Sequence, residues 1–177
     1  SNRGNILREL KRLNEAVVSS DKAILIKSDY AEAYSNRGIA LWELKRLQEA
    51  LASFERAIAI KPDYAEAYSF QGVTLWELKR LEEAVASYDR AIAIRPDSAG
   101  TYSNRGVDIK PYYAEAHCNR GLILQELKRL EDAIVSFDKA IAIKSDYAKA
   151  YHDRGVAQWE LMRPNEAVGS FDKAIAI

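Results

Sequence analysis

The sequence predicts an all-α solenoid of antiparallel helix pairs, and three observations carry that expectation. Glycines recur every 34 residues, at Gly4, Gly38, Gly72 and Gly106, and the same interval separates Gly121 from Gly155. Apolar residues between them return every three or four positions, the spacing of one helical face, without strand alternation. Bases close one segment and acids open the next, as in Lys45-Arg46 before Gln48-Glu49, the arrangement the helix macrodipole favours. Aligning residues 31–64 with 65–98 gives about 24 identities in 34 positions.

Taken in order, the first unit is expected to turn at Lys11-Arg12, between a helix carrying Gly4 and a second helix carrying Ser20. In the second unit Ala31, Tyr34, Gly38, Leu41 and Leu44 line one helix, and Ala50, Phe54, Ala57 and Ile58 line the next after Leu47. Asp29 with Glu32, and Asp63 with Glu66, have the spacing of capping boxes that start the first helices. Pro62, Pro96 and Pro111 punctuate the links between units. The fourth unit, residues 99–113, spans only 15 residues, about 19 short of the period. Either residues are missing there, or the unit is a hinge between two sub-arrays, 1–98 and 114–177, that pack on another copy by domain swapping or face-to-face association. At the far end no polar helix follows Phe171, Ala174 and Ile175, and no leader precedes Ser1-Asn2. The chain is therefore expected to be an excerpt of a longer repeat protein, or to stack end to end.

The unit resembles the tetratricopeptide repeat, whose signature sets an aromatic, Gly, Leu, Ala, aromatic, Ala and Pro at fixed places along 34 residues. Tyr34, Gly38, Leu41, Ala50, Phe54, Ala57 and Pro62 fill those slots, and Tyr68, Gly72, Leu75, Ala84, Tyr88, Ala91 and Pro96 fill them again. Departures are local: Ser20 replaces the second aromatic, His117 the first, Gln158 the Leu, and Ser28 and Ser145 the Pro. The resemblance implies a right-handed array of about five full or nearly full repeats plus one truncated.

Composition removes several function classes. With 177 residues, 48% apolar, and 26 basic against 26 acidic side chains, the chain is neither a disordered tail nor a domain with a net field for nucleic acid. Its aliphatic runs are far shorter than the roughly 20 residues of a membrane span. The lone Cys118 excludes an internal disulfide and fits a reducing, cytoplasmic location. His117 and Cys118 are neighbours, but adjacent helical residues point about 100° apart and do not form a nucleophile and base by adjacency. No catalytic residue, metal site or cofactor is expected, and the chain reads as a non-enzyme. Lys11-Arg12, Lys45-Arg46, Lys79-Arg80 and Lys128-Arg129 draw a basic line that RNA would use, but nearby acids cancel its field.

What remains is the groove that the resemblance implies. Tetratricopeptide arrays hold a partner segment against their first helices. The matching positions here are Asn36, Phe70, Asn104, Asn119 and Asp153, flanked by Ser35, Ser69, Ser103, Cys118 and His152. Val73, Leu122 and Val156, then Trp42, Trp76 and Trp159, follow along the helices, the Trp residues serving as partner anchors or as packing. Amides one repeat apart both donate to and accept from a peptide backbone, so an asparagine ladder holds an extended chain without reading its sequence. Ser35, Glu66 and Phe70 stand where a carboxylate clamp needs bases, which excludes chaperone tails. Arg37, Arg105, Arg120 and Arg154 are expected to pair with neighbouring acids. The expected function is a protein-protein interaction scaffold, with a self-associating array as the alternative.

Overall fold

The computed structural model describes residues 2–94 and 109–177, with side chains placed for 11–94 and 113–177. All regular structure among the described residues is helical: α1 (Asn2–Ile26), α2 (Ala31–Glu43), α3 (Leu47–Ile60), α4 (Ala65–Glu77), α5 (Leu81–Ile94), α6 (Ile109–Glu126), α7 (Leu130–Ile143), α8 (Ala148–Glu160) and α9 (Pro164–Ala176). The chain forms two compact units, Ser1–Ser87 and Tyr88–Ile177, with the boundary inside α5. Residues 99–108 of the short unit lie outside the described residues, and 109–113 form the start of α6.

In three helix pairs, α2/α3, α6/α7 and α8/α9, the second helix lays an aromatic ring on the bare backbone of the first. A β-carbon on Gly38 would stand 2.6 Å from Phe54 Cε1, one on Gly121 2.6 Å from Phe137 Cε1, and one on Gly155 2.7 Å from Phe171 Cε1. That approach buries Phe54 and Phe137 completely. Around Phe54 the first unit gathers Val17, Ala40, Leu41 and Ala50, with Ile39, Trp42, Leu44 and Phe70 packed on them. A second cluster, Ala31, Ala57, Tyr64 and Ala67, joins successive pairs.

The turns close without glycine. Lys45 adopts φ 59°, its N–H donating to Trp42 O at 2.8 Å while Arg46 N–H donates to Leu41 O at 2.9 Å. This is the Schellman pattern, usually closed by Gly. Lys79, Lys128 and Met162 repeat it at φ 62°, 60° and 59°. Left-handed backbone costs an L-residue on the order of 1 kcal/mol, so helix packing, not local preference, holds these turns.

The first unit shows the converse. Lys11-Arg12, expected to turn, lies in the middle of α1, which runs unbroken from Asn2 to Ile26. Ser20 stands where Phe54, Phe137 and Phe171 stand. A closed hairpin would leave a ring-sized void against Gly4, and losing a buried ring costs about 3–5 kcal/mol. Without that contact nothing offsets the strained turn, and Lys and Arg, both good helix formers, continue the helix.

Two further expectations are corrected. Tyr30 and Tyr64, not Asp29 and Asp63, occupy the N-cap positions, with no side-chain cap bond, and Glu32 instead faces Lys61 at 3.7 Å. Pro111 does not punctuate a link but is the third residue of α6. Tyr112 replaces the turn-favouring aspartate of the other links, and an early helical position tolerates Pro because its N–H has no intrahelical partner. Ser145 supports the same turn as Pro62: Tyr147 N–H reaches Lys144 O at 3.2 Å, and Tyr64 N–H reaches Lys61 O at 3.1 Å.

Charged links repeat with the packing. Arg37 donates to Asp21 Oδ1 and Ser53 Oγ, both at 2.7 Å, and Arg154 donates to Asp138 Oδ1 at 2.6 Å and Ser170 Oγ at 3.1 Å. Each acid lies 16 residues before its arginine. Arg120 donates to Ser136 Oγ and to Asp89 Oδ1, both at 2.6 Å, but Asp89 lies 31 residues before it. The difference is the 15 residues of the short unit. Within the second unit, α6 thus takes up the ordinary pairing with the end of α5. Arg105 falls outside the described residues.

The Gly38→Ala variant is expected to lose about 1–2 kcal/mol in urea unfolding, because overpacking against Phe54 outweighs the helix-propensity gain. Gly169, with open space around its Cα, should gain roughly 0.5–1 kcal/mol on the same substitution.

Candidate functional site

The first helices present the candidate face. In the first unit Asn36 is exposed on α2, with Ile39 and Trp42 half-buried along the same helix. Phe70, on α4, stacks on Phe54 with centroids 5.9 Å apart and meets Trp42 edge-on at 6.3 Å. Trp42 and Phe70 are therefore both packing residues and half-exposed surface. Val73 and Trp76 continue the half-buried strip along α4. Lys45 Nζ lies 5.1 Å from the Trp42 ring centroid and 2.8 Å from Glu77 Oε2.

In the second unit Asn119, half-buried on α6, stands against the buried Tyr88 phenol, whose titration burial pushes well above its ordinary value while Asn119 draws it down. Asp153, on α8, has a side chain only 13% exposed; Cys118 Sγ lies 3.9 Å from Oδ2 and His152 Nδ1 3.1 Å from Oδ1. Leu122 and Val156 are half-buried and Trp159 is 60% exposed. Asn104 and Ser103 lie outside the described residues.

The flanking residues depart from expectation. Ser35, Ser69 and Cys118 do not line a groove, being buried where helices meet, and among the described members of that set His152 is exposed. Their small size serves close helix approach, the same demand that places Gly38 nearby. The hydroxyls of Ser35 and Ser69 have no hydrogen-bond partner.

Neither Cys118 nor His117 is poised as a nucleophile or base. Burial pushes the Cys118 thiol up to about 11, above the range where a thiolate forms at neutral pH. His117 is buried in the slot of Tyr34 and Tyr151, and burial, aided by Lys139 and Arg120, lowers it to about 4 against a smaller opposing effect of Asp89. Among the described residues no group of three or more His, Cys, Asp or Glu side chains is placed to hold a metal, and no helix is long and apolar enough to cross a membrane. The basic line is broken up: Arg46 grips Glu49 at 2.7 and 2.6 Å, Arg80 grips Glu83 at 2.6 Å twice, and Arg129 grips Asp132.

One feature escaped the sequence reading. Each first helix ends on an acid, Glu43, Glu77, Glu126 or Glu160, with no base in its last turn. The macrodipole disfavours that placement. The period displays the signal openly, and two of these acids are explained by the next turn back, since Lys45 reaches Glu77 and Lys128 reaches Glu160, each at 2.8 Å.

Models of the tetratricopeptide repeat match residues 36–99 and 114–147, and a TPR repeat model matches residues 4–45. The chain belongs to the tetratricopeptide repeat family. No curated protein matches it in sequence. Among solved structures, MamA superposes with a TM-score of 0.82 at 22% identity, over 98% of this chain and 92% of that one. MamA from Desulfovibrio magneticus RS-1 gives 0.78 at 21%, over 98% and 91%. YrrB, a TPR protein, gives 0.75 at 23%, over 99% and 82%. At these identities the likeness shows the tetratricopeptide fold alone.

His117 generates a pH expectation. Unfolded, it binds a proton near pH 6.5, whereas folded it does so only near 4, so stability falls as pH drops through that window. In acid titrations of thermal melting, His117→Tyr should lose less stability between pH 6.5 and 4 than the wild type.

Proposed function

We propose that this tetratricopeptide array is a protein-interaction scaffold, without catalysis of its own, that holds an extended partner segment across its first-helix face. One observation carries the reading. In the first unit Ile39, Trp42 and Phe70 keep half-exposed apolar surface beside the exposed amide of Asn36, a combination that offers burial to a side chain and paired hydrogen bonds to a peptide backbone. Asn119, Asp153 and Trp159 supply corresponding groups in the second unit, and Asn104 extends the ladder by sequence. YrrB, similar in fold, is described as having an unusual peptide-binding site. The buried free Cys118 fits work in a reducing, cytoplasmic compartment.

Self-association is the second reading, favoured by exposed Leu25 and Ile26 on α1 and Val168 and Ile175 on α9. One experiment weighs both. Peptides selected from a displayed library are titrated into wild type and Asn36→Ala, with light scattering on the same samples. The scaffold reading expects a monomer that binds, and a several-fold weaker variant with an unchanged melting temperature. Equal affinity removes Asn36 from the site, and a concentration-dependent mass with no peptide bound favours self-association.

A further inference from the structure

We infer that the α2–α4 face of the first unit takes a basic partner segment, lysines or arginines flanking an apolar residue; this rests on the groove reading above and names its partner chemistry. The two helices carry four acids, Glu32, Glu43, Glu66 and Glu77, and a single base, Arg37. That base is turned to Asp21 and Ser53 and adds nothing to the face. Lys61 partly answers Glu32 at 3.7 Å, and Lys45 answers Glu77 at 2.8 Å. Among the described residues Glu43 and Glu66 have no cationic or hydrogen-bonding partner. Glu43 also sits in the last turn of α2, against the helix dipole, where stability alone gives no reason for an acid.

Between these acids lies apolar surface that already holds a cation. The Lys45 ammonium rests 5.1 Å from the Trp42 centroid, the kind of attraction a cation finds at such a ring. Phe70, half-buried beside Trp42, gives an apolar side chain a second ring to pack on. Charge complementarity selects the occupant. A phosphate backbone or anionic lipid would be repelled, an acidic peptide likewise, and a basic, partly apolar peptide would find both its charges and its apolar group matched.

The test uses the full chain and two pools of short fluorescent peptides, built on Leu and Phe, one with Lys and Arg and the other with Asp and Glu. Anisotropy should show the basic pool binding, weakening as salt rises. Glu43→Gln with Glu66→Gln should reduce affinity roughly fivefold to tenfold at low salt, whereas Glu49→Gln with Glu83→Gln, an equal charge change on the second helices, should leave it unaltered. Equal binding of the acidic pool, or indifference of the basic pool to the first pair of substitutions, would overturn the charge inference and leave the groove reading standing. Binding of neither pool by the wild type would count against both.

Discussion

The contact between a first-helix glycine and a second-helix aromatic ring, made at Gly38, Gly121 and Gly155, is the constraint on which the rest depends. With Phe54 Cε1 2.6 Å from where a β-carbon on Gly38 would lie, the axes are drawn together and the ring is fully buried. Closure on that ring compels left-handed backbone at Lys45, Lys128 and Met162, residues whose own preference is to continue a helix. Once the pairs are closed, Arg37 meets Ser53 and Asp21, and Lys45 meets Glu77. These partly exposed ion pairs follow from the packing and add little stability of their own. Where the ring is missing, at Ser20, two prospective helices remain the single helix α1.

The fold was legible because period, small-residue spacing and charge placement agree at every level. The elements that depart from the sequence expectation share one cause: tertiary contacts decide them and local signals do not. Asp29 and Asp63 have the composition of N-caps, but Tyr64 is buried in the link and takes the cap position itself. Lys11-Arg12 has the same residues as the working turns, and its fate is set nine residues away at Ser20. The shortened unit is expected to be either a gap or a hinge, and within the second unit Arg120 pairs with Asp89 at the end of α5. The structural role expected of Arg37, Arg120 and Arg154 is met.

The candidate site was legible in part. Position along the repeat names the helices expected to offer a face, but not which side chains the packing leaves uncovered, so Ser35, Ser69 and Cys118 are expected on a surface they do not reach. Burial is a property of neighbouring units rather than of a residue's own helix. Conversely, the acids that end every first helix were visible in the text as a violation of the helix dipole. Two of them are answered from the preceding turn, Glu77 by Lys45 and Glu160 by Lys128.

The dependence of hairpin closure on the ring is tested most directly by Ser20→Phe, with spin labels at residues 3 and 19 in a Cys118→Ser background. Continuous helix separates those positions by about 24 Å at 1.5 Å per residue, whereas a closed antiparallel pair brings helix axes to roughly 8–10 Å. The account predicts a long distance in the unsubstituted repeat and a short one after Ser20→Phe. A short distance before substitution, or a long one after it, would contradict the claim that the glycine and the ring close the repeat.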